Sequence, residues 1–187
     1  MTATVDAVIK VGGALLELDD ELARTLTACE LAARTHALLV IPGGGPFADA
    51  VRAVDAHHSL SDDDAHWMAI LGMEQFAILL VSRIRNAELV HRRGEIERAL
   101  VRGKIPVLAP YRWLREADPL PHTWDVTSDS IAAWVATKVG ARQLILIKPH
   151  AHDALTVVDR YFDRARAPSL KYAIMTPEQL TGSWFPD

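Results

Sequence analysis

Ala37-Leu38-Leu39-Val40-Ile41-Pro42-Gly43-Gly44-Gly45-Pro46 is a short aliphatic run that ends in three consecutive glycines. A continuous aliphatic run of this length is typical of a strand that is covered on both faces, as in a parallel sheet. Glycine loses more conformational freedom on folding than any other residue, so three in a row are costly. An ordinary turn from a strand into a helix rarely needs them. We interpret them as backbone that approaches a ligand closely or adopts a positive φ.

A second glycine pair follows the first predicted strand, in the stretch Lys10-Val11-Gly12-Gly13. Glycines let backbone N–H groups come close to an anion, and a nearby lysine supplies a point charge. Taken alone, this stretch is better explained by an exposed lysine beside an ordinary turn. The glycines that start at Gly43 have neither the spacing of a P-loop nor that of the G-x-G-x-x-G dinucleotide motif.

Two carboxylates and three hydroxyls occur in Trp124-Asp125-Val126-Thr127-Ser128-Asp129-Ser130, at the start of a predicted helix. Capping of that helix explains one hydroxyl and one carboxylate, and leaves the others unexplained. Ligands of parallel sheets bind beyond the carboxyl ends of the strands, where loops lead into helices. We therefore expect the three polar stretches to share one anion-binding site at the edge of the sheet.

Strand-like and helix-like segments alternate along the chain. Aliphatic runs predict strands at Ala7–Val11, Ile105–Leu108 and Lys171–Met175, and at residues 37–41, 88–91, 143–148 and 157–158. Apolar spacing predicts helices at Ser128–Val139 and at residues 19–35, 47–56, 62–86, 95–101 and 160–166. Four prolines between residues 106 and 121 predict an irregular segment. The alternation predicts one α/β domain over residues 1–187, a three-layer αβα sandwich with a mainly parallel central sheet.

The composition argues against several classes of function. The chain has 187 residues, of which 50% are hydrophobic and 24% are charged, and its net charge is −4. It offers no basic surface for nucleic acid and no polybasic stretch for an anionic membrane. The first ten residues lack a signal-peptide pattern, and no apolar run approaches the ~20 residues of a membrane helix. With Cys29 as its single cysteine, a cytoplasmic protein is expected.

The histidine pairs His57–His58 and His150–His152 have the residue type of metal ligands. Neither pair is accompanied by the remaining ligands at a recognised spacing. We interpret both pairs as surface histidines and expect no metal site of the protein's own. The cluster Asp62-Asp63-Asp64 is interpreted as charge at the N-terminus of a helix.

The three polar stretches together resemble the amino-acid-kinase superfamily. Longer similarities lie in Ile41-Pro42-Gly43-Gly44-Gly45-Pro46-Phe47-Ala48, in His66-Trp67-Met68-Ala69-Ile70-Leu71-Gly72-Met73 and in the stretch from Trp124 to Ser130. There the chain is similar to the phosphate kinases of methanofuran biosynthesis, and the similarity extends over nearly its whole length. The resemblance implies an amino-acid-kinase fold. It also implies transfer of the γ-phosphoryl group of ATP, with Mg²⁺, onto an (aminomethyl)furanyl-methyl phosphate to give the diphosphate.

The resemblance also implies roles for individual residues. Lys10 would bridge the oxygens of the transferred phosphoryl group, and Asp129 would hold the lysines in place. Lys171 would be a second catalytic lysine on the nucleotide side, and Lys148 would contact the nucleotide. The phosphate groups would be bound by Gly12, Gly13, Gly43, Gly44, Gly45, Ser128 and Ser130.

Two further expectations concern partners. The predicted helix at residues 62–86 corresponds to the dimer-interface helix of the family, so the resemblance implies a homodimer. Trp113, Trp124 and Tyr111 could line an aromatic pocket suited to the furan ring of a small-molecule phosphate, or could equally be core or interface residues.

The chain departs from the family after the strand that ends near Ile147. Family members usually carry Thr-Asp-Val-Asp-Gly-Val/Ile-Tyr there, whereas this chain has Lys148-Pro149-His150-Ala151-His152-Asp153. The nucleotide-side region, residues 148–187, is therefore expected to be shortened. Two alternatives stay open: a catalytically silent relative that binds a ligand or a partner subunit, and a kinase with another phosphate donor or acceptor.

Overall fold

Six strands form one parallel sheet in the computed structural model, which describes residues 4–149 and 158–180. The strands β1 to β6 are Ala7–Val11, Leu38–Pro42, Ala87–Val90, Ile105–Leu108, Gln143–Ile147 and Lys171–Met175. The helices α1 to α7 are Asp19–Ala32, Gly45–His58, Asp62–Arg83, Arg93–Val101, Tyr111–Ala117, Ser128–Val139 and Phe162–Ala165. Two short 3-10 helices lie at Gly13–Glu17 and Pro177–Gln179.

The sheet has the order β3-β4-β2-β1-β5-β6, and each neighbouring pair is parallel. β1 is the point at which the strand order reverses, because β2 and its neighbours lie on one side of it and β5 and β6 on the other. Ligands of open parallel sheets bind at such a switch point, beyond the carboxyl ends of the strands. The architecture confirms the predicted α/β fold with a parallel sheet.

Two hydrophobic clusters cover the two faces of the sheet. Alternate strand residues belong to different clusters, as Val8 and Ile9 show. The first cluster adds apolar side chains of α4, α6 and α7, and the second adds those of α1. α3 contributes to both, with Trp67 in the first cluster and Phe76 in the second. The aliphatic strands are thus covered on both faces, as their sequence predicts.

α3 begins at a Ser61 cap, whose hydroxyl oxygen accepts a hydrogen bond from the backbone N–H of Asp64 at 3.1 Å. By length and composition alone α3 could cross a membrane, with a mean hydropathy of 1.4 over 18 residues, an apolar run that the sequence analysis did not expect. This is weak evidence for a membrane span, because 44% of that window is buried in the fold. Leu71 and Ile78 are exposed on the same helix. The homodimer through α3 and the cytoplasmic location stay predictions.

The predicted irregular segment between the prolines is wrong in part, because it contains helix α5. Pro110 immediately precedes the first residue of α5. Proline is tolerated at a helix start because the first N–H groups of a helix have no partner within it. Pro106 lies inside β4, beside Glu88 of β3. Near the C-terminus, residue 157 of the strand predicted at 157–158 lies outside the described residues, and Val158 forms a bend.

Candidate active site

Three neighbouring strands end at the same level and form the floor of one cavity. Val11 at the end of β1 is paired with Pro42 of β2 and with Ile147 of β5. The residues that directly follow these three are Gly12, Gly43 and Lys148. The parallel register therefore brings both glycine turns and Lys148 together, at the edge of the sheet where the sequence predicts a site.

The two glycine turns touch each other through their backbones. A Cβ atom on Gly13 would lie 2.0 Å from the backbone nitrogen of Gly45, and one on Gly43 would lie 2.4 Å from the nitrogen of Gly13. Gly45 also has a φ of +54°, which disfavours any residue with a side chain. The contact between the turns therefore requires glycine at these positions before any ligand is considered.

The turns divide their N–H groups between the sheet and the cavity. The N–H of Gly12 donates to the carbonyl of Ile147, the last residue of β5, at 2.9 Å. The N–H of Gly43 donates to the carbonyl of Val11, the last residue of β1, at 2.7 Å. Within residues 4–149 and 158–180, no partner is found for the N–H groups of Gly13, Gly44 and Gly45, which line the cavity. The prediction that all five glycines offer N–H groups to phosphate is wrong for the first glycine of each turn.

A buried carboxylate joins two lysines at the same place. Asp129, in the first turn of α6, has Oδ1 2.9 Å from Nζ of Lys10 and Oδ2 2.7 Å from Nζ of Lys148. Lys10 is 5% exposed and Asp129 is 4% exposed. The Oδ1 contact is an ion pair without the direction of a hydrogen bond, so among the described residues this oxygen has no hydrogen-bond donor. Among the described residues, two ammonium groups therefore meet at one buried carboxylate.

Burial and charge act in opposite directions on Asp129. Burial raises the pKa of its carboxyl group, but the charges of Lys10 and Lys148 and the hydrogen bond from Lys148 outweigh burial, so the pKa lies below its ordinary value of 3.8. Asp129 is therefore ionised at neutral pH and holds both ammonium groups in place. This geometry is the one expected of a residue that positions the lysines.

A cavity of about 440 Å³ opens above these groups. We name the anion end of the cavity by its residues Lys10, Gly13, Gly44, Gly45 and Lys148. The remaining lining, named here the acceptor end, comes from α2, α3 and the segment before α6. Its apolar wall consists of Ala65, Ala69, Ile70, Met73, Val126 and Ile131. The cavity thus combines an anion site with a hydrophobic wall and has the size of a small-molecule site.

Charged and aromatic side chains complete the acceptor end. The Arg52 guanidinium lies over the Trp124 ring, 4.7 Å from its centroid, and pairs with Asp49 at 2.7 Å. Trp124 Nε1 donates to Asp55 at 2.8 Å, which fixes the ring against α2. Asp62 also lines the cavity, and its carboxylate has no partner in the part of the chain that the structure describes. Because Arg52 and Asp49 balance, Asp62 leaves the acceptor end with an excess of negative charge.

His66 lines the acceptor end in its uncharged form. Its ring stacks on that of His122 at a centroid distance of 4.1 Å. Burial and the charge of His122 lower the pKa of His66 to about 4, although Asp118 and Asp63 act in the opposite direction. A neutral imidazole adds no positive charge at physiological pH, so the net charge of the acceptor end stays negative.

Two predicted site residues do not reach the cavity. Lys171 is the first residue of β6 and is paired with Gln143, the first residue of β5. The cavity lies at the carboxyl ends of these parallel strands, so Lys171 is at the opposite edge of the sheet and its predicted role is wrong. Ser130 is fully buried and its hydroxyl donates to Asp159, so it cannot bind a phosphate. Ser128, in contrast, lines the cavity.

The aromatic residues divide between cavity and core. Trp124 lines the cavity. Trp113 packs against Trp134 with ring centroids 5.2 Å apart, and Tyr111 packs against Trp67 at 5.9 Å. Trp113 and Tyr111 therefore pack against the first hydrophobic cluster and do not form the aromatic pocket that the sequence left open.

Sequence reasoning missed Arg52 and Asp159 and gave Asp62 only a structural role. Arg52 lies seven residues after Gly45 on α2, which is about two helical turns, so its place near the glycine turn could have been predicted. Asp159 meets α6 through contacts that span 29 to 32 residues. No local pattern in the sequence reports such a contact.

The fold and the site are those of a known protein family. The family described as the amino acid kinase family matches residues 7–149, a range that includes both glycine turns, Asp129 and Lys148. The chain belongs to the amino acid kinase family. The superfamily resemblance inferred from the sequence is thereby confirmed.

Individual relatives differ in their similarity to the chain. The [5-(aminomethyl)furan-3-yl]methyl phosphate kinase of Methanocaldococcus jannaschii is 27% identical over 139 residues, which cover 74% of this chain and 63% of the relative. Uridylate kinase from Archaeoglobus fulgidus superimposes with a TM-score of 0.71 at 17% identity over 94% of both chains. UMP kinase from Ureaplasma parvum has a TM-score of 0.62 at 14% identity, over 80% of this chain and 71% of its own. The two solved structures show the shared fold.

Among the described residues, the anion end offers no carboxylate that is free to ligate a magnesium ion. In the described ranges, no group of three or more His, Cys, Asp or Glu side chains could hold a metal ion. Both oxygens of Asp129 lie beside ammonium groups. Protein-bound Mg²⁺ is usually held by one or two carboxylates together with substrate phosphates. His150 and His152 lie outside the described residues.

Gly13→Ala tests the contact between the glycine turns. We expect a loss of about 1–3 kcal/mol in the free energy of unfolding, because the new Cβ atom would overlap the Gly45 backbone. Gly94→Ala is the matched control: its nearest atom is in the flexible Arg98 side chain at 3.5 Å, so the helix should be unchanged or slightly stabilised. The stabilities of both variants are measured by urea unfolding. A Gly13→Ala variant as stable as Gly94→Ala would contradict the contact between the turns.

Asp129→Asn tests the buried ion pairs through pH. At pH 7 we expect a loss of about 3–5 kcal/mol of stability, because two lysines lose a buried partner. The folded-state pKa of Asp129 is lowered, so its stabilisation is complete above its ordinary value of 3.8 and disappears as pH falls through the folded-state value. The difference from the wild type, measured by urea unfolding over a pH series, should therefore shrink below that value. Asp163→Asn, which removes an exposed carboxylate paired with Arg166, is the control and should cost far less.

Proposed function

We propose that this amino acid kinase transfers the γ-phosphoryl group of ATP to the phosphate of an (aminomethyl)furanyl-methyl phosphate, in the synthesis of a methanofuran-type one-carbon cofactor. The observation that carries the proposal is that Lys10, Lys148 and N–H groups of two glycine turns, which have no partner among the described residues, meet at one end of a partly apolar cavity. The Methanocaldococcus jannaschii relative, which is named for this acceptor, supports the choice of acceptor.

The proposed reaction needs positioning and charge neutralisation more than acid–base chemistry. An oxygen of the acceptor phosphate forms a bond to the γ-phosphorus of MgATP, and the bond to the bridging oxygen breaks as ADP leaves. The acceptor oxygen is already anionic, so no proton has to be removed from it. Negative charge gathers on the oxygens of the transferred group, where fixed cations and N–H groups lower the barrier.

The residues of the anion end supply those cations and N–H groups. Lys10 comes from the central strand and is almost fully buried, so its ammonium group does not have to be reoriented during the reaction. Lys148 approaches from the neighbouring strand, and Asp129 fixes both ammonium groups. Gly13, Gly44 and Gly45 add N–H groups that are not used by the sheet. Mg²⁺ would accompany the nucleotide and neutralise part of its phosphate charge.

The charge distribution in the cavity supports an acceptor that carries a phosphate and an ammonium group at opposite ends. At the anion end, Lys10 and Lys148 place two ammonium groups beside Asp129, and at the acceptor end Asp62, which has no partner among the described residues, lies beside the balanced pair of Arg52 and Asp49. The amine of an aminomethyl group is protonated at neutral pH and would be attracted to Asp62. The apolar wall of the acceptor end suits a small aromatic ring.

The alternative of a catalytically silent relative has less support. A protein that had lost phosphoryl transfer would have no need for the buried Lys10 and the partly buried Lys148 around one buried carboxylate, an arrangement that is costly to desolvate. After Pro149 the chain departs from the family in a region that lies largely outside the described residues. The nucleotide loop therefore favours neither the kinase nor the silent relative.

Lys10→Ala tests the proposed transfer. We expect MgATP to raise the melting temperature of the wild type and the wild type to form the diphosphate. The variant should stay folded, while its kcat falls about 100- to 1,000-fold because a preorganised charge at the transferred group is lost. Lys171→Ala is the matched control, since Lys171 lies at the opposite edge of the sheet, and it should keep wild-type turnover. Wild-type turnover by Lys10→Ala, or no response of the wild type to nucleotide, would argue for the silent relative.

Asp62→Asn tests the recognition of the ammonium group. The KM for the aminomethyl acceptor should rise about tenfold, as expected for the loss of a charged hydrogen bond, with little change in kcat. The same substitution should leave the KM unchanged for an analogue with a hydroxymethyl group in place of the aminomethyl group. Asp64→Asn is the control: Asp64 lies two residues further along α3 and does not line the cavity, so the KM for the aminomethyl acceptor should not change. Equal effects on both acceptors would remove Asp62 from acceptor recognition.

A further inference from the structure

Asp159 makes a dense set of hydrogen bonds with the first turn of α6. Its Oδ2 accepts from the backbone N–H of Thr127 at 2.9 Å, from the Thr127 hydroxyl at 2.8 Å and from the N–H of Ser130 at 2.9 Å. Its Oδ1 accepts from the Ser130 hydroxyl and from the N–H of Tyr161 at 3.2 Å. One carboxylate thus satisfies five donors, four of which belong to α6 and the residue before it.

These contacts surround Asp129 in the sequence. Thr127 and Ser130 lie on either side of it, and the N–H of Asp129 donates to the Thr127 hydroxyl at 3.4 Å. Asp129 is the carboxylate that contacts Lys10 and Lys148. The turn that Asp159 binds is therefore the turn that places both lysines of the anion end.

The N-terminus of α6 is accordingly already occupied by a side chain. The first N–H groups of a helix attract anions because they lack partners within the helix. Here the N–H of Ser130 and the N–H of Thr127 bond to Asp159. A phosphate at the anion end is left with the glycine turns, the lysines and Ser128, while Asp159 binds the helix that carries Asp129.

We propose that Asp159 is a positioning residue for phosphoryl transfer: it locks the first turn of α6 so that Asp129 presents one oxygen to Lys10 and the other to Lys148. The reaction named in this proposal rests on the proposed function, whereas the lock itself is a property of the folded protein. A residue of this kind touches neither nucleotide nor acceptor. Its loss displaces the lysines and therefore weakens stabilisation of the transition state more than substrate binding.

Asp159→Asn keeps the shape of the side chain and replaces one oxygen, a hydrogen-bond acceptor, by an NH2 group. This NH2 group would face the N–H and O–H donors that the oxygen now accepts from. We expect kcat to fall about 10- to 100-fold at a temperature well below the melting temperature, while the KM values for MgATP and acceptor change less than about threefold. Ser130→Ala removes one of the donors and should act in the same direction with a smaller effect. Asp125→Asn is the matched control, because this exposed neighbour pairs with the exposed Arg160 at 3.5 Å. It should leave kcat unchanged.

A double-mutant cycle in urea unfolding tests the lock without any enzymatic assay. If Asp159 acts through Asp129, the combined Asp159→Asn and Asp129→Asn variant should lose less stability than the sum of the two single variants. The pair Asp159→Asn and Lys138→Ala is the control cycle, because Lys138 lies near the other end of α6, and it should be additive.

The two measurements separate the possible failures. Additive losses for Asp159 and Asp129, or a kcat in Asp159→Asn equal to that of Asp125→Asn, would overturn the positioning role. A wild-type protein that transfers no phosphoryl group would overturn the proposed function, and the unfolding cycle would then decide the lock by itself.

Discussion

A carboxylate buried between two ammonium groups is the interaction on which this site depends. Removing each of these charges from water costs several kcal/mol, and the cost is offset only when the partners are close and well placed. The pairing of Asp129 with Lys10 and Lys148 meets that requirement at 2.9 Å and 2.7 Å. It also joins three elements that are distant in the sequence: the central strand, the start of α6 and the end of β5. Loss of the Asp129 carboxylate would therefore weaken the contacts between these three elements and also displace the two lysines.

The glycine turns impose a second constraint of the same kind. Their backbones are so close that a single added Cβ atom on Gly13 would overlap the neighbouring turn. Glycine here is needed for packing between backbones and also leaves N–H groups exposed to the cavity. Structural and functional requirements coincide at these positions, and a substitution there does not separate them.

Much of this arrangement could be predicted from the sequence, because the determining signals are local. Aliphatic runs followed by glycines identify the strands and the turns, and parallel pairing then brings the turns together without further information. Lys171 was wrongly placed because the resemblance identified a strand and a lysine but not the end of the strand on which the lysine lies. Helix α5 was missed because prolines near its start were interpreted as interruptions. The contacts of Asp159 could not be predicted, since they depend on how the chain returns to α6 after β5.

The hydrogen bonds from Gly12 and Gly43 to the neighbouring strands have a mechanical consequence. They make the floor of the cavity a continuation of the sheet, and the central strands of a sheet are the last parts of a protein to open. The walls are different, because they are helices and a connecting segment that are held by side chains. On the proposed function, any motion that accompanies entry of an acceptor and exit of a longer product would therefore occur in α2, α3 or the segment at Trp124, above a base that stays stiff.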